Sequence, residues 1–199
     1  MIEDRDIPRA LVEDYAAHMA RTHGVTITRR PAWLDTAQRA LGIDPTRYAT
    51  TIGRSIYLPM DPGDTSLGWS PWEQISTLAH ECEHAVQSSG RELAYAADYL
   101  LRPERRTAIE CRSFAAQLDL ELWRRGSVGS WWPRVRAAAL RSYHVSPTDL
   151  VVAERHLAVL VPTVRVGGVV SSAGLAAIRW LDEHAPDLRA PGVPSRRPS

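Results

Sequence analysis

Residues 70–88 read Ser70-Pro71-Trp72-Glu73-Gln74-Ile75-Ser76-Thr77-Leu78-Ala79-His80-Glu81-Cys82-Glu83-His84-Ala85-Val86-Gln87-Ser88. Ser70 offers a hydroxyl as N-cap, Pro71 suits the first helical position, and Glu73 stands where a capping box closes. The stretch therefore predicts a helix that begins at Pro71 and runs to about residue 88. His80 and His84 sit one turn apart on a single face of it, so both imidazoles can reach one ion. Glu81 lies between them in the pattern H-E-x-x-H, where a carboxylate can take the proton of a water beside that ion. The bland alternative is a pair of surface or structural histidines on an amphipathic helix.

A catalytic zinc ion takes three protein ligands and keeps one position open. The third ligand is expected from a second helix packed on the first. Arg102-Pro103-Glu104 reads as a fresh helix start, and Ile109, Phe114, Leu118, Leu120 and Leu122 carry an apolar pattern to about Arg125. Glu110 lies inside it, followed by Ser113, Ala115 and Ala116, whose small side chains let two helices approach closely. Glu110 is thus placed where a carboxylate of this second helix could share an ion with His80 and His84. Asp98, Glu104 and Glu121 are rival carboxylates, and a charge solvated beside Arg106 is the alternative reading of Glu110 itself.

These residues together resemble a known group. H-E-x-x-H on one helix and a glutamate on a following helix is the pattern of gluzincin metallopeptidases. The phrase from Leu78 to Gln87 looks like the active-site helix of small bacterial and phage-borne members. Those read H-E-x-x-H-x-x-Q, then a tyrosine-bearing helix, then E-x-x-x-A. Gln87, Tyr95 or Tyr99, and Glu110 with Phe114-Ala115 stand in comparable places, although position 114 is Phe and the Ala falls one later. The resemblance covers roughly residues 50 to 125. It implies a zinc-dependent peptidase with Zn2+ at His80, His84 and Glu110, Glu81 as general base, and a peptide or protein substrate. The metzincin pattern, with its third histidine, is absent. One competing function is a zincin-fold binding or regulatory module, phage- or toxin-associated, with little or no proteolysis. Another is a metal-dependent hydrolase of a non-peptide amide.

Peptidases of this kind hold the substrate as an added strand on a sheet edge. Tyr48 to Leu58 is rich in β-branched and aromatic residues, with Gly53-Arg54 as a turn, which predicts a hairpin of 48–52 and 54–58. Val25-Thr26-Ile27-Thr28 adds a further strand. The expected fold is α+β: a mostly helical zincin-like domain with a small sheet of two to four strands preceding the zinc helix. Charge that develops on a carbonyl oxygen needs a donor besides the metal. Tyr95, Tyr99, Tyr143 and His144 are the candidates, and the last two lie in a loop at 142–146 that can reach the cleft; each has packing or surface exposure as its alternative. Cys82 points away from the histidine face, and Cys111 adjoins Glu110. Both are expected as reduced, buried thiols, against a disulfide stapling the two helices.

A chain of 199 residues, 44% hydrophobic and 24% charged, fits one domain with a core. A net charge of +1 makes no electrostatic case for nucleic acid. The first residues, Met1-Ile2-Glu3-Asp4-Arg5-Asp6, form no apolar segment, so a cytoplasmic location is expected. The most apolar tract, 157–178, is broken by Pro162, Arg165 and Gly167-Gly168. It reads as two buried helices joined by a glycine turn, with a membrane-associated hairpin as the alternative, and no stable membrane insertion is expected. The expected organisation is one domain over 1–184, with a catalytic core at 48–125 and a helical part at 126–184 packed by Trp123, Trp131, Trp132 and Trp180. The proline-rich segment 185–199 is expected to be a disordered tail.

Overall fold

The computed structural model describes residues 2–40, 42, 44–143 and 145–194. Along the chain run α1 (Arg9–His23), β1 (Thr26–Arg29), α2 (Ala32–Ala40), β2 (Thr50–Ile52), β3 (Ser55–Leu58), α3 (Pro71–Ser88), α4 (Glu92–Leu101), α5 (Pro103–Arg125), α6 (Trp132–Ala139), α7 (Pro147–Arg165) and α8 (Ser172–His184). Short 3-10 turns lie at Pro45–Arg47, Leu140–Tyr143 and Pro186–Leu188. This is the expected mostly helical α+β architecture with a small sheet ahead of the histidine helix.

The sheet has the order β1-β3-β2, with β1 parallel and β2 antiparallel to β3. Gly53 (φ 59) makes the tight turn between β2 and β3 in a left-handed conformation that glycine adopts without steric cost. Among the described residues β2 pairs with β3 alone, so its outer edge is open. That edge lies over α3.

α3 starts as its sequence dictates. The Glu73 amide donates to Ser70 Oγ (3.2 Å) and the Ser70 amide donates to Glu73 Oε2 (2.7 Å), with Pro71 in the first turn. The helix is buried on nearly every side, which places it at the centre of the molecule. α5 runs beside it and carries apolar residues on two faces. One face, with Leu120 and Trp123, joins α1, the sheet, α3 and α8 around Tyr15, Met19, Ile56, Ile75 and Leu181. The other, with Phe114 and Leu118, packs against α6 and α7 around Trp132, Leu140 and Leu157.

The helices after residue 125 therefore do not form one unit, because the two faces of α5 recruit different partners. α8 returns to pack on α3 and α1, whereas α6 and α7 stay on the far side. The tryptophans divide in the same way. Trp123 stacks on Trp72 (6.1 Å between centroids) and donates to Asp182 Oδ1 (2.9 Å), and Trp180 packs on Tyr15 (5.5 Å). Trp132 sits in the second core, and Trp131 is 57% exposed. The apolar tract is only partly buried, since Val159 on the outer side of α7 and Val166 just after it are exposed. Among the described residues no helix is long and apolar enough to cross a membrane.

The C-terminal segment departs from the expected disordered tail through Pro194. Leu188 and Ala190 are buried, and the Ala190 amide donates to the Trp123 carbonyl (3.0 Å). The buried Arg124 guanidinium donates to the Leu188 carbonyl (2.7 Å), to the Ile2 carbonyl and to Asp4 Oδ1 (3.1 Å), tying both chain ends to α5. Prolines lack an amide donor and leave none unsatisfied, and two buried apolar residues with one arginine dock the segment that carries the Pro186–Leu188 turn. Residues 195–199 lie outside the described residues.

α8 is seated on α5 through Asp119, which accepts from the amides of Val170 (3.1 Å) and Ser171 (3.0 Å). A Cβ on Gly174 would stand 2.5 Å from Asp119 Oδ2. Gly174→Ala is therefore expected to destabilise the protein by roughly 1–3 kcal/mol, read as a lowered urea midpoint. An unchanged midpoint would refute the close approach.

Candidate metal centre

The centre is built where α3 crosses α5. His80 and His84 turn their imidazoles toward α5, with Nε2 atoms 3.0 Å apart. Glu110 rises from α5 between them, its Oε2 3.3 Å from His80 Nε2 and its Oε1 3.6 Å from His84 Nε2. All three are buried, Glu110 to 1% exposure and each histidine to 6%. Glu81 belongs to the same cluster: one ligand atom from each of His80, Glu81 and His84 lies within 4.8 Å of the others.

Two carboxylates thus reach the imidazoles, and their own partners distinguish them. Thr51 on β2 donates its hydroxyl to Glu81 Oε2 at 2.6 Å, drawing that carboxylate toward the sheet edge. Glu110 Oε1 accepts from the Tyr99 hydroxyl at 2.6 Å, but Glu110 Oε2 has no hydrogen-bond partner among the described residues. A buried carboxylate that faces two ring nitrogens, with one oxygen making no hydrogen bond, is an environment that a cation would satisfy. The residues present fit a metal held by His80, His84 and Glu110.

The surrounding side chains orient these groups. When Nε2 of His84 is free to bind a metal, its Nδ1–H donates to the oxygens of Tyr95 (2.7 Å) and Ser113 (3.1 Å), which fixes the tautomer. Gln87 donates to Ser113 Oγ (3.0 Å) and to the Ile109 carbonyl (3.3 Å), clamping α3 to α5 beside the site. Phe114 packs its ring on His80 (5.0 Å). Burial alone would lower the pKa of His84, but adjacent Glu110 outweighs it and raises it above 6.5. Burial alone would raise that of Glu110, but His84 and His80 hold it well below its usual 4.5.

The remaining pentad residues serve the fold. Cys82 faces the first core, and its thiol is pushed up by burial and then by Glu81 and Glu83. Glu83 Oε2 accepts from the Ser171 hydroxyl (2.7 Å), the Ser172 hydroxyl (3.2 Å) and the Ala173 amide (3.1 Å), so it holds the start of α8. Cys111 lies in the second core with its thiol raised to about 12 by burial. The two thiols are free and buried in different cores.

The rival carboxylates lie elsewhere. Asp98 accepts from Arg91 (2.9 Å) and Arg102 (3.0 Å), Glu104 is exposed, and Glu121 feels Arg125 and Arg136. Arg106 is not the partner of Glu110. It donates to the carbonyls of Tyr99 (2.6 Å), Leu100 (2.9 Å) and Tyr143 (2.6 Å) and so fastens α4 and the 140–143 turn to α5. Of the four expected carbonyl-oxygen donors, Tyr95 and Tyr99 are turned instead toward His84 and Glu110. Tyr143 is half-buried and edge-on to Tyr48 (6.2 Å); burial raises its pKa, and the charges of Glu110 and Glu81 raise it further. His144 lies outside the described residues. Sequence reasoning missed Thr51 and assigned Ser113 only a small volume. Ser113 was within reach, since a residue three positions after Glu110 shares its helix face.

No protein-family model, curated protein or solved structure matches this chain.

The ionic contact between His84 and Glu110 makes stability depend on pH in the metal-free protein. The contribution of Glu110, whose pKa is lowered, is complete above 4.5 and lost as pH falls; that of His84, whose pKa is raised, is complete below 6.5 and lost as pH rises. With a chelator present, the urea midpoint of the protein is expected to peak between pH 4.5 and 6.5, and Glu110→Gln to flatten that peak. A wild-type profile no different from that of Glu110→Gln would contradict the pairing.

Proposed function

We propose that the protein is a zinc-dependent metallopeptidase of gluzincin type, with His80, His84 and Glu110 as ligands and Glu81 as general base. The observation that carries the reading is the convergence of two Nε2 atoms 3.0 Å apart with Glu110 oxygens 3.3 and 3.6 Å away. Bonds of about 2.0–2.1 Å in tetrahedral geometry set ligand atoms roughly 3.3 Å apart, and these separations bracket that value. Two imidazoles and one carboxylate form a donor set that leaves zinc an open position.

Bound zinc supplies a Lewis acid that polarises a carbonyl and brings the pKa of a water toward about 7. Glu81 then takes the proton of the attacking water and passes it to the leaving amine. Thr51 restrains that carboxylate through Oε2. Tyr143, kept protonated by burial and by the two nearby carboxylates, donates a hydrogen bond to the substrate oxygen as it gains charge. The open edge of β2 offers backbone partners to an extended peptide, and Thr51 on that strand links the edge to Glu81.

A second reading, a metal-holding module without turnover, is favoured by the depth of the centre. Its four residues are 1–6% exposed, and Tyr95 and Tyr99 both stand edge-on to the His84 imidazole. One experiment separates the two. Glu81→Gln is expected to retain one zinc per chain by elemental analysis while peptide hydrolysis falls at least ~100-fold, and Glu110→Gln is expected to lose zinc. Full hydrolysis by Glu81→Gln would sink the base assignment. Stoichiometric zinc in a wild-type protein that cleaves nothing in a broad peptide library would favour the module.

A further inference from the structure

Between α4 and α5 lies a cavity of about 170 Å³ that the reading above does not use. It opens to solvent, and the exposed Arg91, Arg105 and Arg112 line it, with Asp98 as the one acidic residue of its wall. Asp98 is already shared between Arg91 (2.9 Å) and Arg102 (3.0 Å). Among the described residues no carboxylate lies within ion-pair distance of Arg105 or Arg112. The cavity therefore concentrates positive charge in a chain whose net charge is only +1. Arg105 and Arg112 are two turns apart on one face of α5, roughly 10 Å along the helix, a spacing that two long side chains close around a small ligand. A guanidinium presents a planar fork of donors that matches the oxygens of a carboxylate or phosphate.

The geometry points to a binding site for a compact oxyanion, a phosphate or carboxylate group of a small molecule, held by Arg105 and Arg112 with Arg91 as third donor. The polar wall of this site leads to the metal centre. Tyr95 contacts His84 Nδ1 directly (2.7 Å), and Gln87 reaches the same nitrogen through Ser113 (3.0 and 3.1 Å). An anion in the cavity thus lies beside Tyr95, which holds one imidazole directly, and Gln87, which reaches it through Ser113. Binding of the anion itself does not depend on the peptidase reading.

The test titrates inorganic phosphate and acetate separately into the full chain by calorimetry, at ionic strength held constant with chloride. At least one of the two is expected to saturate at one per chain. Arg105→Gln/Arg112→Gln is expected to weaken it at least tenfold, while Arg155→Gln, an exposed arginine on α7, leaves it unchanged. Circular dichroism checks the fold of each variant, and Arg112→Gln alone replaces the double variant if that fails to fold. Saturation by phosphate alone identifies a phosphate-bearing ligand, and by acetate alone a carboxylate. Heats that never saturate, or an equal loss in Arg155→Gln, overturn the site. Saturation that is insensitive to Arg105 and Arg112 but abolished by a chelator belongs to the metal centre and also overturns it, leaving the peptidase reading intact.

Discussion

Glu110 is a carboxylate withdrawn almost wholly from water, and it stays ionised because two imidazoles and a tyrosine hydroxyl surround it. A buried charge without such company would cost several kcal/mol and be neutralised instead. The arrangement exists only because α3 and α5 lie close together. Ser113 and Ala116 keep that contact thin, and Gln87 ties it with two hydrogen bonds. The meeting of the two histidines with Glu110 follows from this one helix pair, and Tyr95 and Tyr99 of α4 then orient the groups.

The H-E-x-x-H pentad is used completely. His80, Glu81 and His84 face the centre, Cys82 packs in the core, and Glu83 anchors the N-terminus of α8. Because successive residues of a helix point in different directions, five residues of α3 serve the candidate metal centre, the hydrophobic core and the long-range connection to α8. Asp119 on α5 holds that same segment from the other side, so the distant C-terminal helix is fixed to both helices that make the centre.

α4 contributes in another way. None of its residues is fully buried, and Leu93, Leu100 and Leu101 face outward. It is held in place by polar contacts: the hydroxyls of Tyr95 and Tyr99, and the Arg106 guanidinium at its C-terminal carbonyls. The helix that braces His84 and Glu110 is thus among the least deeply packed parts of the molecule, and local packing density sets how readily a segment opens.

What the sequence by itself determined was local. The Ser70–Glu73 capping box, the start of α5 at Pro103, the hairpin at Gly53 and the shared face of His80 and His84 are set by backbone chemistry and helical period, which act over a few residues. Glu110 was legible because small residues on its helix announced a close neighbour. Tertiary structure alone decided which carbonyls Arg106 would bind, that Thr51 would meet Glu81 across 30 positions, and that Glu83 would hold α8 across about 90. It also docked residues 185–190 against Trp123 and Arg124, where composition suggested no structure. Such pairings depend on which face of α5 each later helix finds, and a hydrogen bond between distant segments leaves no periodic trace in the chain that carries it.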